Sequence, residues 1–160
     1  MTPEQEKSGV HATTLQLKGC GVMIMGRSGA GKTELALMLI ERAGLRSEKA
    51  FLVADDRTLL RVQGSKLVAS VPAALAGGVE IRGAGLFKVP FIASTSLDLV
   101  IELVTAPEAE RYPGGGVWNF EGVTLPRLLL PALWSNGDSI ALSRAIEATL
   151  FYEPWLPQKS

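Results

Sequence analysis

Cysteine and histidine are almost missing from this chain of 160 residues, which has one of each, Cys20 and His11. A single cysteine cannot form a disulfide within the chain, and one cysteine with one histidine cannot assemble a Cys/His zinc cluster. Any metal ion would therefore have to be bound through oxygen ligands.

A net charge is also missing, because sixteen Lys and Arg residues balance sixteen Asp and Glu residues. Without an overall positive field, the chain has no general electrostatic attraction for DNA, RNA or an anionic membrane surface. No apolar run approaches the roughly 18 residues that a membrane-spanning helix needs, and the opening MTPEQEKSGV contains no apolar signal core. We therefore expect a cytoplasmic protein that binds neither nucleic acid nor a membrane.

The length and the 47% hydrophobic content are those of one globular domain with a single core. We assign residues 1–10 to a flexible N-terminal tail, 11–152 to the domain and 153–160 to a C-terminal tail. HATTLQLK at 11–18 predicts a half-exposed strand, one face of which carries His11, Thr13, Leu15 and Leu17. GCG then predicts a turn, and VMIM predicts a buried strand that ends at Gly26.

Strong helix formers follow, and they predict a helix over about 33–43 that Gly44 ends. AFLVADD predicts a buried strand, and residues 57–72 predict two strands joined by a turn at 63–65. The glycine-rich segment 73–90 is interpreted as a loop in which VEIR is the candidate strand. Strands are predicted at 97–104 and 123–133 with a mobile linker between them, and Asp138 caps a predicted terminal helix. This order of elements indicates an α/β fold.

GRSGAGKT at 26–33 fits the phosphate-loop pattern G-x-x-x-x-G-K-[S/T], and it stands between an apolar strand and a predicted helix, as that loop requires. Backbone N–H groups and the helix N-terminus of such a loop surround phosphate groups. Lys32 would reach the terminal phosphates, and Thr33 would ligate Mg²⁺. The predicted nucleotide-binding residues are Gly26, Arg27, Ser28, Gly29, Ala30, Gly31, Lys32 and Thr33.

Asp55 and Asp56 end an apolar strand, where nucleotide-hydrolysing enzymes place a carboxylate near Mg²⁺. Adjacent residues of an extended strand point to opposite faces. We therefore expect one of the two to face the phosphates and the other to be solvated, capped or paired with a residue such as Arg57.

For two further sites, the residues alone do not decide between a functional and a surface role. Glu80 and Arg82 would share one face of a strand, either as ligands of a metal and a phosphate or as a surface ion pair. His11 is either a surface residue or an active-site group, since its hairpin leads directly into the phosphate loop.

In order along the chain, HATTLQLKGCGVMIMGRSGAGKTELALMLIER, LVADDR and VEIRGAGLFKV resemble the core of bacterial HPr kinase/phosphorylase, over residues 11–131. Members of that family have a strand histidine before the loop, a glutamate after GK[S/T], an A-D-D and the signature L-E-I-R-G-L-G-I. Without the N-terminal domain of the longer family members, the chain resembles the compact kinases of alpha-proteobacteria. The resemblance implies a P-loop kinase core over 11–152, similar to the nucleotide-binding core of phosphoenolpyruvate carboxykinase.

The resemblance also implies an activity: ATP and Mg²⁺ would be used to phosphorylate a serine of the phosphocarrier protein HPr or its nitrogen-branch homologue. Many family members also run the reverse phosphorolysis of phosphoserine. Carried over to this chain, residues 26–33 bind ATP, and Thr33 and Glu80 hold Mg²⁺. Asp55 is the implied general base, and the active-site set is completed by His11, Lys32 and Arg82.

The family's later P-V-x-P-G-R-N segment stands here as PALWSNGDS, without its arginine, which bears on phosphorolysis more than on kinase activity. A homo-oligomer such as the family's hexamer is left open. Two rival functions are a small-molecule P-loop kinase and a nucleotide-dependent switch or binding module. Against the first, no arginine-rich lid follows the core, and against the second, there is no guanine-reading N-K-x-D motif.

Overall fold

The computed structural model describes residues 8–157, whose strands form one mixed nine-stranded sheet and a separate two-stranded hairpin. The helices are α1 (Lys32–Leu45) and α2 (Ser139–Phe151), and short 3₁₀ turns cover Ala73–Leu75 and Ala106–Glu108. The strands, in chain order, are β1 (Ser8–Val10), β2 (Ala12–Leu17), β3 (Cys20–Gly26), β4 (Ala50–Ala54), β5 (Thr58–Gln63), β6 (Lys66–Ser70), β7 (Gly78–Ile81), β8 (Gly85–Lys88), β9 (Ser94–Val104), β10 (Val117–Phe120) and β11 (Val123–Pro131).

The large sheet runs β1-β5-β6-β9-β3-β2-β4, with β11 also beside β9 and β10 beside β11. The pairs β3 with β9 and β9 with β11 are parallel, and the other pairs are antiparallel. The predicted α/β fold is confirmed. Because ligands of such sheets bind beyond the carboxyl ends of parallel strands, the end of β3 is the expected place for a site.

Two apolar clusters occupy the two faces of the sheet. One joins β2, β3, β9 and β11 to α1 and α2, and the other joins β3 and β9 to β5, β6 and β11. The second face is therefore covered by strands instead of helices. No helix among residues 8–157 is long and apolar enough to cross a membrane.

Strand β2 is buried on both faces, so the prediction of a half-exposed strand is wrong. Leu15 and Leu17 pack in the cluster under the helices. On the opposite face, the hydroxyl of Thr14 lies 2.8 Å from that of Thr58, and both residues are fully buried. The side chains of β2 alternate between two faces as predicted, but β5 covers the face that was predicted to be exposed to solvent.

The turn between β2 and β3 is formed by Lys18 and Gly19, and Cys20 already belongs to β3, which corrects the predicted GCG turn. Lys18 has φ 49° and Gly19 has φ 85°. Two-residue hairpin turns with positive φ at both positions match the twist of the flanking strands, and glycine adopts this conformation at least cost.

Both predicted helices are present. Helix α1 continues to Leu45, so Gly44 lies inside it and does not end it. Helix α2 begins after Asp138, whose side chain accepts a hydrogen bond from the Ile140 N–H at 2.9 Å, which confirms the predicted cap.

Two segments form regular structure that the sequence did not predict, and in a third the candidate strand VEIR is present as β7 but belongs to a hairpin with the unpredicted β8. Ser8–Val10, assigned to the N-terminal tail, pairs with β5, so the folded part begins before residue 11. Strand β10, assigned to a mobile linker, pairs with β11, and the glycine-rich segment contains the β7–β8 hairpin. Ser8–Val10 depends on pairing with a distant strand, which hydrophobic periodicity does not report, whereas β10–β11 and β7–β8 are local hairpins with short turns at 121–122 and 82–84. Residues 1–7 and 158–160 of the predicted tails lie outside the described residues.

Candidate active site

The phosphate loop connects the end of β3 to the start of α1 and borders a cavity of about 430 Å³. Gly31 precedes the helix with φ 101° and ψ 21°, a left-handed conformation that favours glycine. Its carbonyl accepts the N–H of Leu35 at 2.9 Å, which begins the helical hydrogen bonds. The local chemistry of the motif thus gives the predicted strand, loop and helix.

Lys32 extends back across this loop. Its ammonium donates to the carbonyls of Gly26 at 2.8 Å and Arg27 at 3.1 Å, and the residue is only 5% exposed. Burial lowers the pKa of Lys32, and the carboxylates of Asp56 and Asp55 partly offset this effect. The side chain is therefore fixed where phosphate groups of a nucleotide would lie.

Asp55 lies between the phosphate loop and β2. Its Oδ1 accepts hydrogen bonds from the hydroxyls of Thr33 at 2.6 Å and Thr13 at 3.1 Å. Its Oδ2 accepts the N–H of Glu80 at 3.4 Å. Asp55 thus contacts three elements of the cavity at once.

Asp56 has φ 62°, so it is not in the extended conformation that the alternation argument assumed. Its carboxylate accepts a hydrogen bond from Nε2 of His11 and lies 3.8 Å from the Lys32 ammonium. Its N–H donates to the hydroxyl of Thr13 at 3.1 Å, and its side chain is 66% exposed. Both carboxylates therefore border the cavity, and the partner of Asp56 is His11 instead of Arg57.

The β7–β8 hairpin supplies the opposite wall through Glu80, Ile81 and Arg82. An Nη of Arg82 lies 3.7 Å from the position that a Cβ on Gly29 would occupy, so the guanidinium is beside the phosphate loop. Among the ion pairs of residues 8–157, none joins Glu80 to Arg82. The two side chains share the cavity without forming the surface ion pair that was the alternative.

The structure brings most of the predicted site residues to this cavity. Its lining comprises Ser28, Gly29, Gly31, Lys32, Thr33, Glu34, Leu37, Asp55, Asp56, Glu80, Ile81, Arg82 and Leu133. Gly26, Arg27 and Ala30 form the loop behind that lining. His11 borders an adjacent cavity of about 480 Å³, and Asp56 borders both.

Comparison with known proteins agrees with this geometry. The model of the family described as HPr serine kinase C-terminal domain matches residues 4–131. The chain belongs to this family. The solved structure of the Hpr(Ser) kinase/phosphatase from Coxiella burnetii is similar with a TM-score of 0.74 at 24% identity, over 89% of this chain and 96% of that one, and so has the same fold.

Two curated relatives of this HPr serine kinase family show how far the similarity reaches. The chain is 32% identical over 152 residues to the HPr kinase/phosphorylase of Levilactobacillus brevis, which covers 88% of this chain and 47% of that protein. It is 36% identical over 134 residues to the HPr kinase/phosphorylase of Caldanaerobacter subterraneus subsp. tengcongensis, with 76% and 42% covered. The chain therefore spans about half the length of these relatives.

Asp56, Thr13 and Leu133 border or organise the site of this family member and were missing from the predicted site. Thr13 had a sequence signal, because it is two residues from His11 on the same strand face. Alternation allowed only one of the two carboxylates at the site, and the family resemblance selected Asp55; the positive φ of Asp56 invalidates the alternation rule here. Leu133 follows the phosphate loop by about a hundred residues, and it lies in PALWSNGDS, the segment that stands in place of the family's P-V-x-P-G-R-N; that resemblance pointed to a missing arginine and not to the leucine.

The oxygen ligands of the cavity fit Mg²⁺. Residues 8–157 contain no group of three or more His, Cys, Asp or Glu side chains that could hold a metal alone. Mg²⁺ in kinase sites takes only one or two protein ligands, and it obtains the others from phosphates and water. Thr33, whose hydroxyl donates to Asp55, and Glu80, whose backbone N–H donates to the same carboxylate, both border the cavity, so the Thr33 hydroxyl and the Glu80 carboxylate match that requirement.

Proposed function

We propose that this chain is an ATP- and Mg²⁺-dependent kinase that phosphorylates a serine of an HPr-type phosphocarrier protein. The observation that carries the proposal is that Asp55 and Asp56 face Lys32 and Thr33 of the phosphate loop in one cavity. Family membership supports the same activity, as do the names of the relatives. Because the chain spans about half of those relatives, the activity is assigned here as an inference.

The donor side would be formed by the phosphate loop. Its N–H groups and Lys32 would bind the β- and γ-phosphates of ATP. Thr33 and Glu80 would hold Mg²⁺, which when bound neutralises charge on the transferring phosphoryl group. Arg82, beside Gly29, would contact the same anionic groups from the hairpin side.

The two carboxylates differ in their contacts, and this separates their roles. Asp55 already accepts two hydroxyl hydrogen bonds, one of them from Thr33, which suits a carboxylate that orients a metal ligand. Asp56 is exposed, borders both cavities and is oriented by His11. The sequence assigned the base to Asp55, whereas these contacts favour Asp56.

In the proposed reaction, the serine oxygen attacks the γ-phosphorus as the bond from that phosphorus to the bridging oxygen of ADP breaks. The hydroxyl proton passes to the carboxylate of Asp56, since a serine hydroxyl is a poor nucleophile until its proton is removed. In phosphorolysis, an oxygen of inorganic phosphate would attack the phosphorus of phosphoserine as the bond from that phosphorus to the serine oxygen breaks; the carboxyl would return the proton to the serine oxygen, and the pyrophosphate formed would be released.

The test measures transfer from γ-labelled ATP with Mg²⁺ to the HPr-type protein of the same organism, with the label assigned to serine or histidine. We expect Asp56→Asn to bind ATP normally and lose transfer by about 10²- to 10⁴-fold. Asp55→Asn should instead raise the Mg²⁺ concentration needed for half-maximal transfer. Glu41→Gln, an exposed acid on α1, is the matched control.

The reverse result for the two variants would return the base role to Asp55. Label on serine is the outcome that the proposal requires. ATP turnover that labels only a small molecule would favour a small-molecule kinase, and tight ATP binding without turnover would favour a switch. The reverse arm uses phosphoserine-HPr with inorganic phosphate, and release of pyrophosphate would show phosphorolysis.

A further inference from the structure

The segment 132–137, between β11 and α2, contacts the phosphate loop through Leu133. It is fixed at the end of β9, because the N–H of Ala132 donates to the carbonyl of Val104 at 2.7 Å. The N–H of Ala106 donates to the hydroxyl of Ser135 at 2.9 Å, which holds the segment a second time. The family match ends at residue 131, just before this segment.

Leu133 makes the contact with the loop through both its backbone and its side chain. Its N–H donates to the carbonyl of Ala30 at 3.0 Å. Its Cγ and Cδ1 lie 2.4 Å from the position that a Cβ on Gly31 would occupy, so the leucine packs directly against the Gly31 backbone. Leu133 also borders the cavity that the phosphate loop lines.

The hydrogen bond to Ala30 fixes the direction of a group that phosphate loops use. In a planar trans peptide, the carbonyl of one residue and the N–H of the next point in opposite directions. The Ala30 carbonyl points to the N–H of Leu133, so the Gly31 N–H points away from Leu133. N–H groups held in this way are what such loops offer to phosphate oxygens.

We propose that Leu133 is a positioning residue for the phosphate loop: it holds the Ala30–Gly31 peptide in the orientation that binds polyphosphate. The inference rests on the proposed function only in taking a polyphosphate as the ligand of the loop. Leu133 would not need to contact the nucleoside or take part in phosphoryl transfer. Its substitution therefore weakens binding to the phosphate part of the ligand.

The test compares the dissociation constants of Mg-ATP and of Mg²⁺ with inorganic tripolyphosphate, measured by isothermal titration calorimetry for wild type and Leu133→Ala. Tripolyphosphate has no base and no sugar. We expect both ligands to bind about tenfold more weakly, a loss of about 1.4 kcal/mol. Trp134→Ala, an exposed neighbour in the same segment, should bind as wild type, and Leu133→Met should recover most of the affinity.

Weakened ATP binding with unchanged tripolyphosphate binding would overturn the proposal, because it would make Leu133 a nucleoside contact. Unchanged binding of both ligands would also overturn it. If Leu133→Ala does not fold, as judged by thermal unfolding, Leu133→Val removes the outer part of the contact and carries the same test with a smaller loss.

A double-mutant cycle with Gly31→Ala tests the contact itself. Alanine at φ 101° is strained in either background, but in wild type its Cβ would lie 2.4 Å from Cγ and Cδ1 of Leu133, whereas Leu133→Ala leaves only the Cβ of residue 133, at 3.1 Å. We expect Gly31→Ala to lose less tripolyphosphate affinity in the Leu133→Ala background than in wild type, and equal losses would overturn the proposal. The binding test uses no acceptor protein, so its result is independent of serine transfer. If the wild type binds both ligands but transfers no phosphate to serine, only the proposed function is contradicted. If Leu133→Ala binds both ligands as tightly as wild type, only this inference is contradicted.

Discussion

The phosphate loop and the β7–β8 hairpin face each other across one cavity, and they are held in different ways. The loop is anchored by buried residues, with Ala30 1% and Lys32 5% exposed, while its tip at 27–29 is exposed. In the hairpin only Val79 is buried among the eight strand residues, and Leu86 is 82% exposed.

The hairpin is attached mainly at its base, where Phe91 packs against Gly77 and the N–H of Val89 donates to the Gly77 carbonyl at 2.9 Å. Near the cavity, the hydrogen bond from Glu80 N–H to Asp55 is long, at 3.4 Å. A two-stranded hairpin is marginally stable without further packing. The fold thus fixes the phosphate-loop side of the cavity, whereas Glu80 and Arg82 lie on a part that few contacts restrain.

Removing the buried cation of the loop should have the largest effect. In Lys32→Ala the loop loses its hydrogen bonds to the Gly26 and Arg27 carbonyls together with the charge that faces the phosphates. We expect serine phosphorylation to fall by about 10²- to 10³-fold, with weaker ATP binding by calorimetry. Lys66→Ala, at an exposed lysine of β6, is the control. Retained transfer in Lys32→Ala would remove the loop from the proposed donor role.

The next largest effect is a difference in stability between the core below the phosphate loop and the β7–β8 hairpin. Leu35→Ala, in the core below the loop, should lower the free energy of unfolding by about 2–5 kcal/mol. Val79→Ala should cost about 1 kcal/mol, because the hairpin can open without global unfolding. Urea unfolding measures both changes. Amide hydrogen exchange should be faster at 78–88 than at 32–45, and equal protection of the two segments would contradict the comparison.

The same contrast explains what the sequence could predict. The loop, the helix after it and the cap at Asp138 depend on local spacing and residue chemistry, and these predictions agree with the structure. The presence of Asp55 and Glu80 at one cavity followed from motifs and the family resemblance. The local chemistry of the sequence was therefore enough to predict most of the phosphate-loop side of the cavity.

What the sequence could not predict depends on backbone conformation or on distant contacts. The positive φ of Asp56 brings its carboxylate to His11, and alternation along a strand cannot report this. Leu133 reaches Gly31 only because β11 lies parallel to β9 and ends beside the loop. The burial of Thr14 likewise depends on β5, which covers a face that the pattern left to solvent.

A smaller effect than that of Leu35→Ala is predicted for the ion pair that joins the helix after the loop to α2. Glu147, 4% exposed, accepts hydrogen bonds from Arg42 at 2.9 Å and Arg46 at 2.8 Å. Burial alone would raise the pKa of Glu147, but the hydrogen bonds and charges of the two arginines outweigh it and hold that pKa below its ordinary value. A carboxyl whose pKa is lower in the folded state than in the unfolded state stabilises the protein at pH values above the unfolded-state pKa, which is about 4.3 for glutamate. That contribution is lost as the pH falls through the folded pKa.

Glu147→Gln should therefore lower the free energy of unfolding at pH 7 by about 1–2 kcal/mol, less than for a fully buried pair because both arginines are partly exposed. The difference in unfolding free energy between wild type and Glu147→Gln should become smaller as the pH is lowered below about 4. Glu147 becomes protonated there in wild type, whereas the glutamine of the variant does not titrate. Urea unfolding at both pH values measures the gap, with Glu153→Gln, an exposed acid, as the control. A gap that stays constant between neutral and acid pH would mean that packing, and not the charge of Glu147, holds α1 against α2 and keeps the loop side of the cavity in place.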